Sequence, residues 1–150
     1  MPDRITVKLE GGDELARALQ EIDANVKKVL KVATLAGGEV VAQVANGMAP
    51  GPHIGVEAER VTASAATVNI GPDKEHWYYQ FLEQGVNAHE IRGTPLSFEG
   101  DEGWVRTAMV QHRGHAARPF LRPAHDETHG EQQDAMGAVL RVEIERVRAG

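Results

Sequence analysis

Apolar residues recur through the first third of the chain at Leu15, Leu19, Ile22, Val26, Val29, Leu30, Ala33, Val40, Val44 and Met48. Steps of three and four are the period of one helix face, and Glu14, Glu21, Lys27, Lys28 and Lys31 fill the opposite face. An unbroken helix of this extent would be about 50 Å long. Ahead of it, Ile5, Val7 and Leu9 alternate with Thr6 and Lys8, which predicts a short half-buried strand. Gly11-Gly12 breaks that strand, and Asp13 is placed to cap the helix after it. Gly37-Gly38 interrupts the helical stretch at a cost of about 1 kcal/mol per glycine relative to alanine. The pair marks either a kink, or a junction of two helices, or a surface that a neighbouring backbone approaches closely.

Past the proline- and glycine-rich stop at residues 49–53, the period changes. Residues 60–62 and 67–70, joined by Ala63-Ser64-Ala65-Ala66, predict a β-hairpin closed by Gly71-Pro72. Trp77, Tyr78, Phe81 and Leu82 fall at i, i+1, i+4 and i+5, a helical stripe ending at Gly85, with a strand as the runner-up because aromatic residues favour both. Residues 89–92 and 96–98 flank Gly93-Thr94-Pro95 as a second hairpin, and residues 99–103 form a polar turn. A further strand spans 104–110, with Val105, Thr107 and Met109 on one face. From Pro123 a last helix runs close to the C-terminus, with Ala124, Ala135, Val139, Val142 and Val147 as buried positions and a polar, His-rich first half exposed to solvent. The fold class is α+β: one antiparallel β-sheet packed against a long N-terminal helix, with a short central helix and a C-terminal helix. Neither a repeat nor a second domain is evident in the 150 residues.

Composition narrows the function classes. Hydrophobic residues at 41% and charged residues at 25% are values of a folded globular chain. A net charge of −6 argues against nucleic-acid binding driven by bulk charge. The absence of cysteine removes disulfides, thiolate nucleophiles and cysteine-based zinc sites. Without a signal-peptide pattern at residues 1–4 or an apolar run of about 20 residues, a soluble protein made inside the cell is expected, with no membrane contact.

Catalytic constellations are not in evidence. His125 and His129 stand at i, i+4, a metal-ligand spacing, but a zinc protease places Glu after the first His where this chain has Asp126. They read as two solvated histidines, and neither a metal nor another cofactor is expected. Ser64 and Ser97 lie in no nucleophile elbow, and no phosphate-binding glycine loop is present. An enzyme is not expected. The charge pattern says more. No acid occurs between Gly103 and His125, whereas Arg106, Arg113, Arg118 and Arg122 do, and acids gather at Glu57/Glu59, Asp73/Glu75 and Glu99/Asp101/Glu102. Such segregation suits contact between unlike faces of neighbouring copies; a solvated basic loop and a phosphate contact are the other readings.

Two stretches stand out. In Ala116-Ala117-Arg118-Pro119-Phe120-Leu121-Arg122-Pro123, two prolines brace an apolar pair ahead of a helix start. The earlier run is His76-Trp77-Tyr78-Tyr79-Gln80-Phe81, continuing to Phe81-Leu82-Glu83-Gln84-Gly85. With residues 91–98 and Gly114-His115 between them, these stretches, in this order, resemble the tail-component family of long-tailed bacteriophages, the tail-completion or head–tail joining neck proteins. The resemblance runs from about Gly12 to the end of the chain. It departs after Ala49-Pro50, where the family's Asp-Thr-Gly-x-Leu loop is replaced by Gly51-Pro52-His53-Ile54-Gly55-Val56. It implies a virion structural protein that forms a homo-oligomeric ring, a hexamer, between a head-closure connector and the tail tube or its terminator, with DNA passing through the lumen. On that reading Arg106, Arg113, His115, Arg118, Phe120, Arg122, Trp77, Tyr78, Tyr79 and Phe81 are the interface and assembly candidates. The other functional class is a small non-enzymatic module that binds nucleic acid or protein through its arginine segment.

Overall fold

The computed structural model describes residues 4–8, 12–21 and 26–149. Leu9, Gly11 and Ile22 of the sequence pattern lie outside the described residues, as do the side chains of Leu15, Leu19 and Val147. The elements are β1 (Ile5–Lys8), α1 (Gly12–Glu21), α2 (Val26–Met48), β2 (Ile54–Val61), β3 (Ala66–Pro72), α3 (Tyr79–Gln84), β4 (His89–Gly100), β5 (Gly103–His112), α4 (Leu121–Glu127) and α5 (His129–Ala149). The architecture is α+β.

Helix α2 is the middle layer. One side carries an antiparallel sheet of order β1-β3-β2, and the other side carries α5. Val7 stands opposite Val68 and Ile5 opposite Ile70, so the alternating residues of β1 and β3 share one apolar face. That face meets Val41, Ala42 and Ala45 of α2 in a core joined by Ile54, Tyr79, Phe120, Leu121 and Ala124. A second cluster of Val26, Val29, Leu30 and Ala66 is covered by Val61, Leu140 and Ile144. Asn46 locks the end of α2 to the start of β2: its side-chain amide donates to the Ile54 carbonyl at 2.9 Å and accepts the Ile54 N–H at 2.8 Å.

The glycine pair resolves as close approach. Helix α2 continues through both positions. A Cβ on Gly38 would stand 2.7 Å from Val56 Cγ1, and one on Gly37 would stand 2.9 Å from Met136 Cγ. The two glycines let the sheet press on one side of α2 and α5 on the other.

Four sequence expectations are corrected. Gly93-Thr94-Pro95 is not a hairpin turn. It is a bulge inside one long strand, β4, whose register against β5 jumps from Arg92↔Met109 to Leu96↔Thr107. Pro95 lacks an N–H for the ladder, and a bulge is where a strand tolerates that. The reversal lies in the polar turn, with Gly100 opposite Gly103. Second, β4 and β5 form a sheet of their own instead of joining the three-stranded one. Third, the C-terminal segment is two helices, with Thr128 breaking the run at φ −111° and ψ 18°. Fourth, α5 buries Gln132 and Met136, with Leu140 and Ile144 packed on the second cluster, whereas Val142 is 55% exposed. The helix is rotated from the valine-based expectation because a polar network holds its first turn. Thr128 Oγ1 donates to the Ala124 carbonyl at 2.6 Å, and Gln132 Nε2 donates to the His125 carbonyl and to Thr128 Oγ1, each at 3.0 Å. The polar first half of this segment is therefore partly inside.

Candidate functional site

The two stretches singled out from sequence are bound to each other. Helix α4 begins at Leu121 after Phe120, whose side chain cannot cap a helix, so its first N–H groups need an outside acceptor. Glu83 of α3 supplies it. The carboxylate accepts from Phe120 N at 2.6 Å, Leu121 N at 3.0 Å and Arg122 N at 3.1 Å. Pro123 has no N–H to satisfy, and Ala124 N already donates to the Phe120 carbonyl at 3.3 Å. One buried acid, 6% exposed, thus satisfies the three N–H groups that the helix itself leaves unpaired. A negative charge at a helix start is also favourable in itself.

The backbones of the two segments run side by side. Arg118 N donates to the Leu82 carbonyl at 2.7 Å, and Val86 and His115 exchange both backbone bonds at 2.9 Å. Gly85 and Gly114 take φ of 76° and 73°, the left-handed region that favours glycine. A Cβ on Gly85 would come within 2.7 Å of Ala117 N. Residues 82–88 and 114–122 therefore form one rigid junction at the edge of the core.

Of the ten assembly candidates, Tyr79 and Phe120 are core residues, 4% and 2% exposed, in an edge-on ring contact with centroids 6.1 Å apart. Neither can meet a partner directly. The helix α3 turns Tyr79 and Glu83, spaced by four, inward, one position away from the expected stripe. Trp77, Tyr78 and Phe81 consequently face solvent as an aromatic patch, with Trp77 edge-on to both neighbours at 6.3 and 5.7 Å. Arg106, Arg113, His115, Arg118 and Arg122 are all exposed. They do not converge on a pocket: Arg106 lies on β5 opposite Ser97, whereas Arg113 follows β5 and Arg118 and Arg122 flank the start of α4. No acidic side chain lies within ion-pair distance of these four arginines among the described residues.

The β4–β5 hairpin is the feature that sequence reading missed. Apart from each other, its strands find no substantial packing partner among the described elements. Yet Leu96, Phe98, Val105 and Met109 share one face, the last three about 40% exposed, and Trp104 on the other face is 75% exposed. Glu99, Asp101 and Glu102 crowd its tip; at its root Arg113 follows β5, and Arg118 and Arg122 lie on the segment that continues from there through the Val86–His115 pairing to the start of α4. At about 3.3 Å per residue, root and tip are roughly 35 Å apart. The signal was present in the alternation of both strands, but splitting β4 at Pro95 concealed its length.

A second unanticipated cluster joins His53, Asp73 and His76. His76 Nδ1 lies 2.6 Å from Asp73 Oδ1 and His53 Nδ1 lies 3.4 Å from Asp73 Oδ2. The two imidazoles stack with centroids 3.4 Å apart and planes 10° from parallel. The hydrogen bond from His76 holds the Asp73 carboxyl below its ordinary range, while burial pushes the Tyr79 phenol beneath it up. His125, Asp126 and His129 are also near one another, but there the two rings meet edge-on at 90°.

No protein-family model matches the chain, no curated protein matches it in sequence, and no solved structure matches it. No helix among the described residues is long and apolar enough to cross a membrane.

Proposed function

We propose that this protein is a structural assembly subunit that catalyses no reaction and joins copies of itself into a ring. In keeping with the resemblance to phage neck proteins, the ring is a hexamer at the head–tail junction of a tailed phage or prophage. It sits between the head-closure connector and the tail tube or its terminator, with DNA crossing the lumen without specific contact.

The observation that carries the reading is the unsupported arm β4–β5. A lone two-stranded hairpin is at best marginally stable in water, and three or more strands or a packing partner are normally needed. This one displays Phe98, Val105 and Met109 on one face and Trp104 on the other. The charge layout names the occupant as a second copy of the chain. Acidic tip and basic root are about 35 Å apart on one molecule, several times the ~8 Å Debye length at physiological salt, so they interact only weakly within it. Tip of one copy against root of the next is a heterologous contact, and repetition of such a contact closes a ring when the rotation permits. The junction held by Glu83 gives the arm's root a fixed direction.

Charge reversal tests this. Replacing Glu99, Asp101 and Glu102 by Lys should lower the mass found by light scattering to that of single chains, and so should replacing Arg113, Arg118 and Arg122 by Glu. Combining both sets in one chain should restore the assembly. Oligomers indifferent to both sets would refute the tip-to-root contact. A wild-type chain that stays single even when mixed with a head connector would favour the small binding module instead.

A further inference from the structure

We propose that His53, Asp73 and His76 form a binding site for a divalent transition-metal ion of the zinc class. The three come from separate parts of the chain: the loop between α2 and β2, the residue after β3, and the lead-in to α3. Two imidazoles and one carboxylate are a donor set that zinc and its neighbours accept. All three ligand atoms lie within 4.8 Å of one another.

Both Nδ1 atoms face the same carboxylate, one at each oxygen. Around a four-coordinate ion with bonds of about 2.1 Å, neighbouring ligand atoms stand about 3.4 Å apart. The His53 Nδ1 to Asp73 Oδ2 separation is already 3.4 Å. For both in-plane lone pairs to meet one ion, the imidazoles, now stacked 3.4 Å apart and 10° from parallel, must turn out of the stack; the same turn opens the 2.6 Å His76 contact, and the ion takes the place of the hydrogen-bonding proton. With three protein donors, a water fills the remaining position. The Asp73 side chain is 47% exposed and provides the path of entry.

The backbone that carries the donors is held before any ion arrives. Asp73 N donates to the His53 carbonyl at 2.9 Å, and His76 N donates to Asp73 Oδ1 at 2.8 Å. The buried Tyr79 ring backs both imidazoles, with centroids 6.0 and 5.5 Å away. Gly51 makes room for the first: a Cβ there would stand 2.9 Å from the His53 ring. Next to it, Ile54 is latched to α2 through Asn46. A surface ion pair lacks such scaffolding. An ion here ties the 50–53 loop to the 73–76 turn and so steadies Trp77 and Tyr78, whatever the protein assembles with.

The His125/His129 pair provides an internal control. There Gln132 Nε2 lies 3.4 Å from His125 Nδ1 and engages that ring nitrogen. Calorimetric titration of the full chain with zinc chloride, repeated with cobalt(II), should show one saturable ion per chain. His53→Ala, His76→Ala and Asp73→Asn should each weaken it by at least about tenfold, the effect that even outer-shell losses produce at a metal site. His129→Ala should leave it unchanged. Histidine NMR of the unaltered protein with zinc gives a readout independent of variant folding, and the perturbed imidazoles should be His53 and His76. Absence of saturable binding below about 1 mM, perturbation confined to His125 and His129, or affinity indifferent to the three substitutions would each overturn the site.

Discussion

Glu83→Gln is the most informative single change, because it alters one atom of the acid that joins α3 to α4. The amide oxygen can take the place of Oε2 and keep the bonds from Phe120 N and Leu121 N. The new NH2 group then faces the N–H of Arg122, donor against donor, where Oε1 now accepts at 3.1 Å. A buried donor left without a partner costs about 1–3 kcal/mol, and the two retained bonds each lose about 1 kcal/mol when the acceptor loses its charge. The sum is about 3–5 kcal/mol, at the lower end because the Arg122 bond is only partly buried. For a chain of 150 residues that corresponds to a melting temperature lower by roughly 6–20 °C. The assay is thermal and urea unfolding, at concentrations where light scattering finds single chains, so that assembly does not add to the apparent stability. Hydrogen exchange should report the same loss locally, at the amides of Phe120, Leu121 and Arg122. A change under about 2 °C with unaltered protection there would refute the account of Glu83 as the acceptor that starts α4.

Other substitutions probe separate parts of the fold and its assembly. Phe120→Ala should cost about 3–5 kcal/mol in urea unfolding, because the side chain is 2% exposed in the main core; a loss under about 1 kcal/mol would take Phe120 out of that core. Two glycines of α2 should respond with opposite sign. Gly38→Ala forces a Cβ to within 2.7 Å of Val56 and should destabilise by about 1–3 kcal/mol, less the propensity gain of about 1. Gly47→Ala meets nothing within 4 Å and should stabilise by about 0.5–1 kcal/mol; equal melting shifts for the two would contradict the close-approach reading. Arg118→Glu should leave unfolding within about 0.5 kcal/mol of wild type, since its exposed side chain has no ion pair, while lowering the assembled mass. An unchanged mass would remove Arg118 from the contact.

Periodicity alone was sufficient for the elements whose one face is apolar and whose other face is charged. Helix α2, strand β3 and the end of β2 that turns into it follow from residue spacing, because a half-buried element must show its period in the sequence; residues 54–59 of β2 were not legible that way. The importance of residues 116–123 was also legible, since two prolines around Phe120-Leu121 restrict the backbone regardless of what surrounds it. What spacing could not decide was rotation and partnership. Whether Tyr79 or Tyr78 of the aromatic run turns inward depends on where Phe120 stands, forty-one positions along the chain. Glu83 looks like any surface acid until α4 is placed with its unpaired N–H groups against it. Likewise the valines of α5 suggested a face that the Thr128–Gln132 network turned aside. The His53/Asp73/His76 cluster needs a loop, a strand end and a helix lead-in to meet. Local patterns record which residues avoid water; which polar groups answer one another is a property of contacts between distant segments, and only the folded chain brings those into being.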